Sequence, residues 1–524
     1  MKKKAAILSL LAVVLLLCGL ALVLMRPTIA TLLRNRIESS LSEHFQSQVQ
    51  FSDFGVSLFP MPNANVKGLM LSHHNRKDVP PLIQVDQVSL SLHWLGLFGP
   101  RLHMTRVQLK GLTLTFPPKQ HDAEPKEKGW GRALPEKYPV FIEELDASDA
   151  QIILLRAQPE KQPLVFMLHT LKLTNLSFEG PAGFEATLTN AVPRGEIHAK
   201  GSFGPWNADT PRATPVKAVY QFLHADLSTI KGLEGTLAST GSFEGPLDYL
   251  NVNGITSIPN FTLRRVANPI ELKTEFSATV DGTNGNTYLH SVEAHFLRST
   301  LSVQGEVVDR YTNVRGRTIN LDAQSKQARA EDLIRLAVKT DQPVLNGPVK
   351  LKAKIRIPEE DKDLSDRLDV TADFSLSDGH FTNPQIQDKI DTLSRKGQGE
   401  PKNAEIVHVP TQLDASMHLK NSAIDFSRVH FLVPGASLDM QGTYVLGDGG
   451  LDFQGDLYLD AKLSQTTTGA KSLLLKAVDP FFKGKNGGAR VPIKVTGTKD
   501  HPVFGLRKEG SAKKAENHHA GGLD

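Results

Sequence analysis

Apolar and polar residues alternate along most of the chain after residue 48. Val88, Leu90 and Leu92, for example, are separated by serines, and a histidine follows Leu92. A period of two places successive side chains on opposite faces of a strand. The pattern therefore predicts a mainly β body whose strands have one apolar and one polar face. The apolar residues chosen as candidates for a binding face are Val88, Leu90, Leu92, Leu112, Leu114, Phe116, Leu451, Phe453, Leu457 and Leu459.

Glycines recur inside these alternating runs and are followed by turn residues. A glycine within a strand indicates a bulge or a sharp bend, and Gly-Pro, Asp-Gly or Asp-His-Pro then closes a hairpin. The spacing is irregular, which argues against a strict solenoid repeat. The segments are KGSFGP from Lys200, TGSFEGP from Thr240, QGEVVD from Gln304, QGTYVLGDGG from Gln441 and VTGTKDHPVFGL from Val495.

Helical periodicity is confined to a few segments. Residues 28–45 predict an amphipathic helix, which either packs on the body or lies at a membrane surface or at one end of a groove. Further helices are predicted for Ala330–Thr340, Gln385–Leu393 and Ala470–Phe482. Residues 117–139 predict a long loop, serving either as a partner site or as a long hairpin.

The N-terminus predicts a membrane anchor. Residues 5–25 carry no charge and are rich in Leu, Val, Ala and Ile, a length that spans a bilayer core as a helix. Lys2, Lys3 and Lys4 precede this run, so the positive-inside rule leaves the N-terminus in the cytoplasm. A cleaved signal peptide has a shorter apolar core, and a lipoprotein signal has a small residue where Leu17 precedes Cys18. We therefore expect an uncleaved single-pass anchor in the inner membrane, with the body in the periplasm.

Charge and cysteine content exclude several classes of protein. The 524-residue chain has 60 basic and 56 acidic residues, and four basic ones lie in the first 26 residues, so the body has 56 of each. A neutral body argues against a nucleic-acid partner. Because Cys18 is the one cysteine of the sequence, the body has neither a disulfide nor a cysteine zinc site.

Motifs for catalysis or cofactor binding are absent from the sequence. It contains no Gly-rich phosphate loop, no G-x-S-x-G and no H-E-x-x-H. Adjacent strand residues point to opposite faces, so His73 and His74 are poorly placed to share a metal ion, and His518–His519 lies in a polar tail. We expect no catalytic residue, no cofactor and no metal. An enzyme acting on envelope polymers is a third hypothesis, requiring a cleft with perturbed carboxylates.

Five segments of the chain carry a family resemblance. They are VQFSDFGVSLFPMPNANVKGLMLS from Val49, LNGPVKLKAKIRI from Leu345, FSLSDGHFTN from Phe374, QDKIDTLSRKGQG from Gln387 and VHFLVPGASLDMQGTYVLGDGGLDFQGDLYL from Val429. These segments resemble the AsmA-like family of envelope proteins. The resemblance implies a chorein-type N-terminal module, then a long, twisted antiparallel β-sheet curled into a groove with an apolar interior. It also implies a role in moving or buffering phospholipids between inner and outer membranes.

Pattern and resemblance together predict six regions. They are a cytoplasmic tip and anchor (1–26), a chorein-like helix and first strands (27–116), a loop (117–139), a central β-groove (140–324), an AsmA-like C-terminal β region with helices (325–506) and a disordered tail (507–524).

Two functions fit such a chain without catalysis. In the first, the apolar face binds phospholipid and supports lipid transport or homeostasis between the two membranes, with an outer-membrane or periplasmic protein as a further partner. In the second, exposed strand edges assist assembly of outer-membrane proteins by β-augmentation. The alternating leucines also fit an ordinary β-sandwich core that binds no ligand.

Overall fold

A computed structural model describes residues 27–507, with internal gaps. The described residues are mainly β and fall into two compact units. Unit one comprises Met1–Thr229, Leu237–Gly254 and Thr279–Gly285, and unit two comprises Ile230–Thr236, Ile255–Ala278 and Asn286–Asp524. The gaps are 29, 36, 40–41, 43–48, 58–60, 73–78, 94–101, 117–139, 156–162, 178–179, 206–212, 264–267, 283, 310–316, 338, 341, 361, 363, 469–470, 473–475, 477–478, 485–486 and 500.

Unit one begins with a helix and continues as a ladder of strands. The described residues between 27 and 42 are helical and form α1, in agreement with the predicted amphipathic helix. Strands β1 and β2 both pair with β3, and from β3 to β10 each strand pairs with the next. The strands are β1 (Val49–Gln50), β2 (Asp53–Ser57), β3 (Asn63–Leu71), β4 (Ile83–Leu92), β5 (Leu102–Phe116), β6 (Val140–Leu154), β7 (Leu164–Ser177), β8 (Ala182–Asn190), β9 (Arg194–Phe203) and β10 (Pro215–Asp226).

One pair in this ladder is parallel. Strands β5 and β6 run in the same direction, from Leu102 opposite Val140 to Phe116 opposite Leu154. Parallel neighbours need a crossover of a dozen or more residues, whereas a hairpin joins antiparallel strands. Residues 117–139, which lie outside the described residues, connect the two strands, so the interpretation of this loop as a long hairpin is wrong. The predicted antiparallel arrangement holds for the other pairings in the described ladder.

Unit two contains most of the remaining strands. From β15 onward the ladder is antiparallel and in sequence order, except that β17 pairs directly with β19 and β18 pairs with β20. The remaining strands are β11 (Leu233–Glu234), β12 (Thr236–Pro246), β13 (Leu250–Leu263), β14 (Ile270–Val280), β15 (Thr287–Phe296), β16 (Ser299–Val308), β17 (Thr318–Arg329), β18 (Leu345–Asn346), β19 (Pro348–Ile357), β20 (Asp369–Phe381), β21 (Thr411–Lys420), β22 (Ala423–Val433), β23 (Ala436–Val445), β24 (Gly450–Leu459), β25 (Ala489–Thr498) and β26 (Pro502–Leu506).

Short helices interrupt the ladder of unit two. They are α2 (Ala330–Ala337), α3 (Leu364–Arg367) and α4 (Pro384–Gly397). Helix α4 begins where Asn383 accepts hydrogen bonds from the backbone N–H of Gln385 and Ile386, with proline in its first turn. The predictions for α2 and α4 are confirmed. The helix predicted for Ala470–Phe482 lies partly outside the described residues, and its described end, Asp479–Phe482, is a 3-10 turn.

The predicted anchor, residues 5–25, lies outside the described residues. Within the described part of the chain, none of the helices has both the length and the apolar character needed to span a bilayer.

The predicted glycine bend is present at Gly305, whereas Gly201 marks a close approach of neighbouring strands without a shift of register. Gly305 has φ of +149°, and a Cβ atom there would lie 2.0 Å from the Asn320 carbonyl oxygen on the neighbouring strand. Opposite it, the register of β15 against β16 shifts between Leu289 and Val292. Gly201 approaches β10 equally closely, since its Cβ would lie 2.0 Å from the Lys217 carbonyl oxygen. Glycine is required at these positions because neighbouring backbones come too close for a side chain.

Candidate functional site

The pairing register defines one apolar face in unit two. Side chains at directly paired positions of neighbouring strands point to the same face. Met417 pairs with Phe426, Phe426 with Gly442, Gly442 with Phe453, and Phe453 with Val495. One row of the sheet is therefore apolar from β21 to β25.

A second row runs parallel to the first, from Leu419 through Ile424 and Tyr444 to Leu451. None of the paired positions in these two rows carries a charge. Apart from Gly442, which has no side chain, the residues are half-buried, so they keep surface that an apolar ligand can cover. We call this surface the open face; it consists of Met417, Leu419, Ile424, Phe426, Tyr444, Leu451, Phe453 and Val495.

Gly442 does not leave a gap in the open face. Gly442 lies opposite Phe453, whose ring carbon Cδ1 would be 2.8 Å from a Cβ atom at Gly442. Phe426 is paired with Gly442 from the neighbouring strand β22. The centroids of the Phe426 and Phe453 rings are 5.7 Å apart. The two aromatic rings thus lie over the glycine position.

Helix α4 covers one end of the same sheet face. Its Ile390 and Leu393 pack against a buried cluster that includes Val433, Leu459 and Ala489. Of the candidates on β24, Leu459 is in that cluster and Leu457 packs against it. Leu451 and Phe453 are farther along the strand and belong to none of the described buried clusters. Leu451, Phe453, Leu457 and Leu459 share a face, as predicted, but α4 covers only Leu457 and Leu459.

A buried carboxylate holds α4 in place. Asp391 accepts hydrogen bonds from the Gln387 side chain and from the backbone N–H of His408 and Val409, at 2.9–3.0 Å. Burial raises the pKa of Asp391, but these hydrogen bonds outweigh it, so the pKa lies below its ordinary value. The ionised side chain therefore ties the helix to the segment that leads into β21.

In unit one the corresponding apolar face is closed. Val88, Leu90, Leu92 and Leu112 are at most 6 % exposed, and they share a buried cluster with residues of α1. Burial this complete is that of a hydrophobic core, so these four candidates offer a ligand no accessible surface. We call this region the covered face; it consists of Leu33, Ile37, Val88, Leu90, Leu92 and Leu112.

Two other candidates lie on β5. Leu114 is half-buried and packs against the covered face, at the position paired with Ile83 of β4. Phe116 is the last residue of β5 and pairs with Leu154, and its side chain lies outside the described part of the chain.

The opposite face of the sheet is polar in both units. In unit one, Arg106 bonds to Glu144, which also pairs with Lys172 at 3.3 Å. The hydrogen bond from Arg106 holds the pKa of the Glu144 carboxyl below its usual value. In unit two, His418 lies 2.8 Å from Asp369. Among the residues that the structure describes, no three His, Cys, Asp or Glu side chains are grouped to hold a metal ion.

A hollow of about 450 Å³ lies between β17, β19, β20 and β21. Lys326, Lys352 and Asp373 are among its lining residues. Lys326 bonds to Glu293, and Asp373 accepts a hydrogen bond from Ser416. Lys326 and Asp373 thus already have partners in the sheet, which is typical of a solvated polar surface.

Sequence reasoning missed most of the open face. Alternation shows which residues of one strand share a face, but not which strands lie side by side. Met417, Phe426, Tyr444 and Val495 alternate as clearly as the chosen leucines, so a search for uncharged alternating runs in all consecutive strands would have found them.

Comparison with known proteins supports the family resemblance for the N-terminal part. Residues 1–120 match the family model described as AsmA family, which confirms the predicted AsmA-like character over that segment. A search of curated proteins and a search of solved structures returned no match.

Proposed function

From the AsmA-type segment at the N-terminus, we propose that the chain is an inner-membrane-anchored periplasmic protein whose open face binds phospholipid acyl chains. In this proposal it supports lipid transport or homeostasis between the inner and outer membranes. It does so by binding, without a catalytic residue or cofactor.

The uncharged, half-buried open face carries the proposal. A face that is covered in the folded chain tends to be a core, and a face that meets water alone tends to carry charges. The open face does neither, which favours an apolar ligand. Burying about six methylenes of an acyl chain is worth roughly 5 kcal/mol at about 0.8 kcal/mol each, which favours the open face over water for an acyl chain.

The open face also suits the polar headgroup of a phospholipid. A phospholipid headgroup keeps its hydration when only the acyl chains are sheltered, and a sheet face that is half-exposed leaves the headgroup in water. An enclosed pocket would instead have to supply hydrogen-bond partners for the phosphate.

The test is native mass spectrometry, with lipid extraction, of the full chain purified in mild detergent. We expect co-purifying phospholipid in the unmodified protein. Phe453→Glu places a charge in the centre of the open face and should remove most of that lipid. Gln454→Glu is the matched control, since Gln454 is the next residue, is exposed and points to the polar face.

Circular dichroism and limited proteolysis show whether both variants remain folded. Lipid retained by folded Phe453→Glu, or lost equally from Gln454→Glu, would exclude the open face as the binding surface. An unmodified protein without lipid would argue against lipid binding as such and would move the assembly-factor hypothesis into first place.

A further inference from the structure

Strand β26 ends the ladder of unit two with an unusually apolar edge. It pairs with β25 on one side, and the described residues provide no strand on its other side. All five of its residues are exposed, and Val503, Phe504 and Leu506 are 61–74 % exposed. Exposed apolar side chains on an unpaired edge are the combination that promotes pairing with another strand.

The hydrogen-bonding pattern shows which backbone groups are free for this pairing. The N–H of His501 donates to Thr498 and the N–H of Arg507 donates to Pro492, so odd-numbered residues of β26 bond toward β25. By the same alternation, the N–H and C=O groups of Phe504 and Leu506 point away from β25, toward the open edge.

The edge has little of the protection that natural sheets normally place there. Solvent-exposed edge strands are usually blunted by lysine, other charges or proline. Strand β26 (PVFGL) contains no charged residue, and its one proline is the first residue. Val503, on the polar face, is apolar as well.

The sequence that follows the strand is mostly polar. Between 508 and 524 the sequence contains one large apolar residue, Leu523, among lysines, histidines, acids and glycines. Such a composition cannot bury three large apolar side chains. An occupant that covers these side chains contributes apolar residues and a free strand edge of its own.

We propose that β26 pairs with β26 of a second copy of this chain, antiparallel and about a two-fold axis at Phe504. The sequence of β26 is compatible with pairing to a second copy of the same strand, since two uncharged residues lie on each side of Phe504. In this register Phe504 faces Phe504 and bonds to it in both directions, and each Leu506 N–H donates to the Pro502 carbonyl of the other copy. Four backbone hydrogen bonds form, and the Leu506 carbonyl of each copy stays solvated because Pro502 opposite it has no N–H.

The symmetry has a consequence for the apolar faces. A two-fold axis perpendicular to the sheet keeps both apolar faces on the same side. Phe504 pairs with Val495 of the open face, so the two open faces would become continuous across the dimer. The dimer does not depend on lipid binding, because the pairing uses backbone groups and side chains of β26 itself.

Disulfide trapping tests the register. In a Cys18→Ser background, Phe504→Cys places two thiols at a hydrogen-bonded pair, where Cα atoms are about 5.5 Å apart and a disulfide forms readily. Val503→Cys is the matched control on the same exposed strand. Its two copies are offset by two residues, about 8 Å apart, which is beyond disulfide range.

We expect a covalent dimer of the purified full chain in mild detergent for Phe504→Cys after mild oxidation, and none for Val503→Cys. Adding Leu506→Pro to Phe504→Cys removes two of the four hydrogen bonds and should abolish most of the crosslink. Equal crosslinking of both variants, or of neither, overturns the proposal when circular dichroism shows folded protein. So does a crosslink in intact cells that joins the Phe504→Cys variant to a different protein instead, which would favour a client strand at this edge.

Discussion

The covered face of unit one and the open face of unit two have the same sequence pattern but differ in burial. The strand residues of both faces are apolar at every second position, with no charge among them. In unit one, Leu33 and Ile37 of α1 share the cluster, and Leu92 is completely buried. In unit two, α4 covers only the end with Leu459, and Phe453 stays half-exposed.

The difference shows that an amphipathic strand pattern does not by itself identify a binding surface. An apolar face becomes a core when another element packs on it, and it remains available when nothing does. The helix that supplies the cover in unit one is remote in sequence from the strands it closes. The distinction therefore depends on tertiary contacts.

The largest expected effect compares leucines of the two faces. Leu92→Ala removes a side chain with no exposure and should lower the free energy of unfolding by about 2–5 kcal/mol. Leu451→Ala, in the half-buried open face, should cost roughly half as much, because part of its surface already meets water. Urea titration followed by circular dichroism measures both changes. Equal costs would mean that the open face is as well packed as the covered face.

A smaller effect is expected from the carboxylate that holds α4. Asp391→Asn weakens three buried hydrogen bonds and should destabilise unit two by about 1–3 kcal/mol. Asp388→Asn is the matched control on the same helix, because Asp388 is exposed and its ion pair with Arg395 is long, at 3.8 Å. For this control we expect a change in the free energy of unfolding within about 0.5 kcal/mol. If the two variants unfold at the same urea concentration, Asp391 does not anchor the helix.

The effect of Asp391 should depend on pH. Its pKa is depressed in the folded protein, so its contribution to stability is present above the unfolded value of about 4. The contribution is lost as the pH falls through the folded pKa. The difference between Asp391→Asn and the unmodified protein should thus be constant near neutrality and shrink below about pH 4. A difference that grows on acidification would contradict the assigned direction.

The smallest effect is expected on the polar face. Arg106→Gln breaks the exposed ion pairs with Glu144 and Asp146, and exposed pairs contribute little to stability. We expect no measurable change in the urea midpoint and an unchanged amount of bound lipid. Loss of lipid from this variant would place part of the binding surface on the polar face. It would contradict the assignment of lipid binding to the apolar face alone.

Much of the fold could be predicted from local pattern. The alternation around Leu90 and Phe453, the bend at Gly305, and the helices near 330 and 385 follow from short-range sterics and side-chain period. The parallel pairing of β5 with β6 could not be predicted, because either pairing direction satisfies the same alternation. The role of Asp391 could not be predicted either, since its hydrogen-bond partners His408 and Val409 lie beyond the long connection that follows α4.

The sequence alone determined that this chain forms strands with one apolar face, because backbone geometry places alternate side chains on opposite sides wherever the strand runs. It also determined the neutral charge of the body and the AsmA-like character of the first 120 residues. The tertiary structure alone decided which apolar face is a core, which is open and which strand edge has no partner among the described residues. Those properties depend on what packs against a face, and packing partners are distant in the chain.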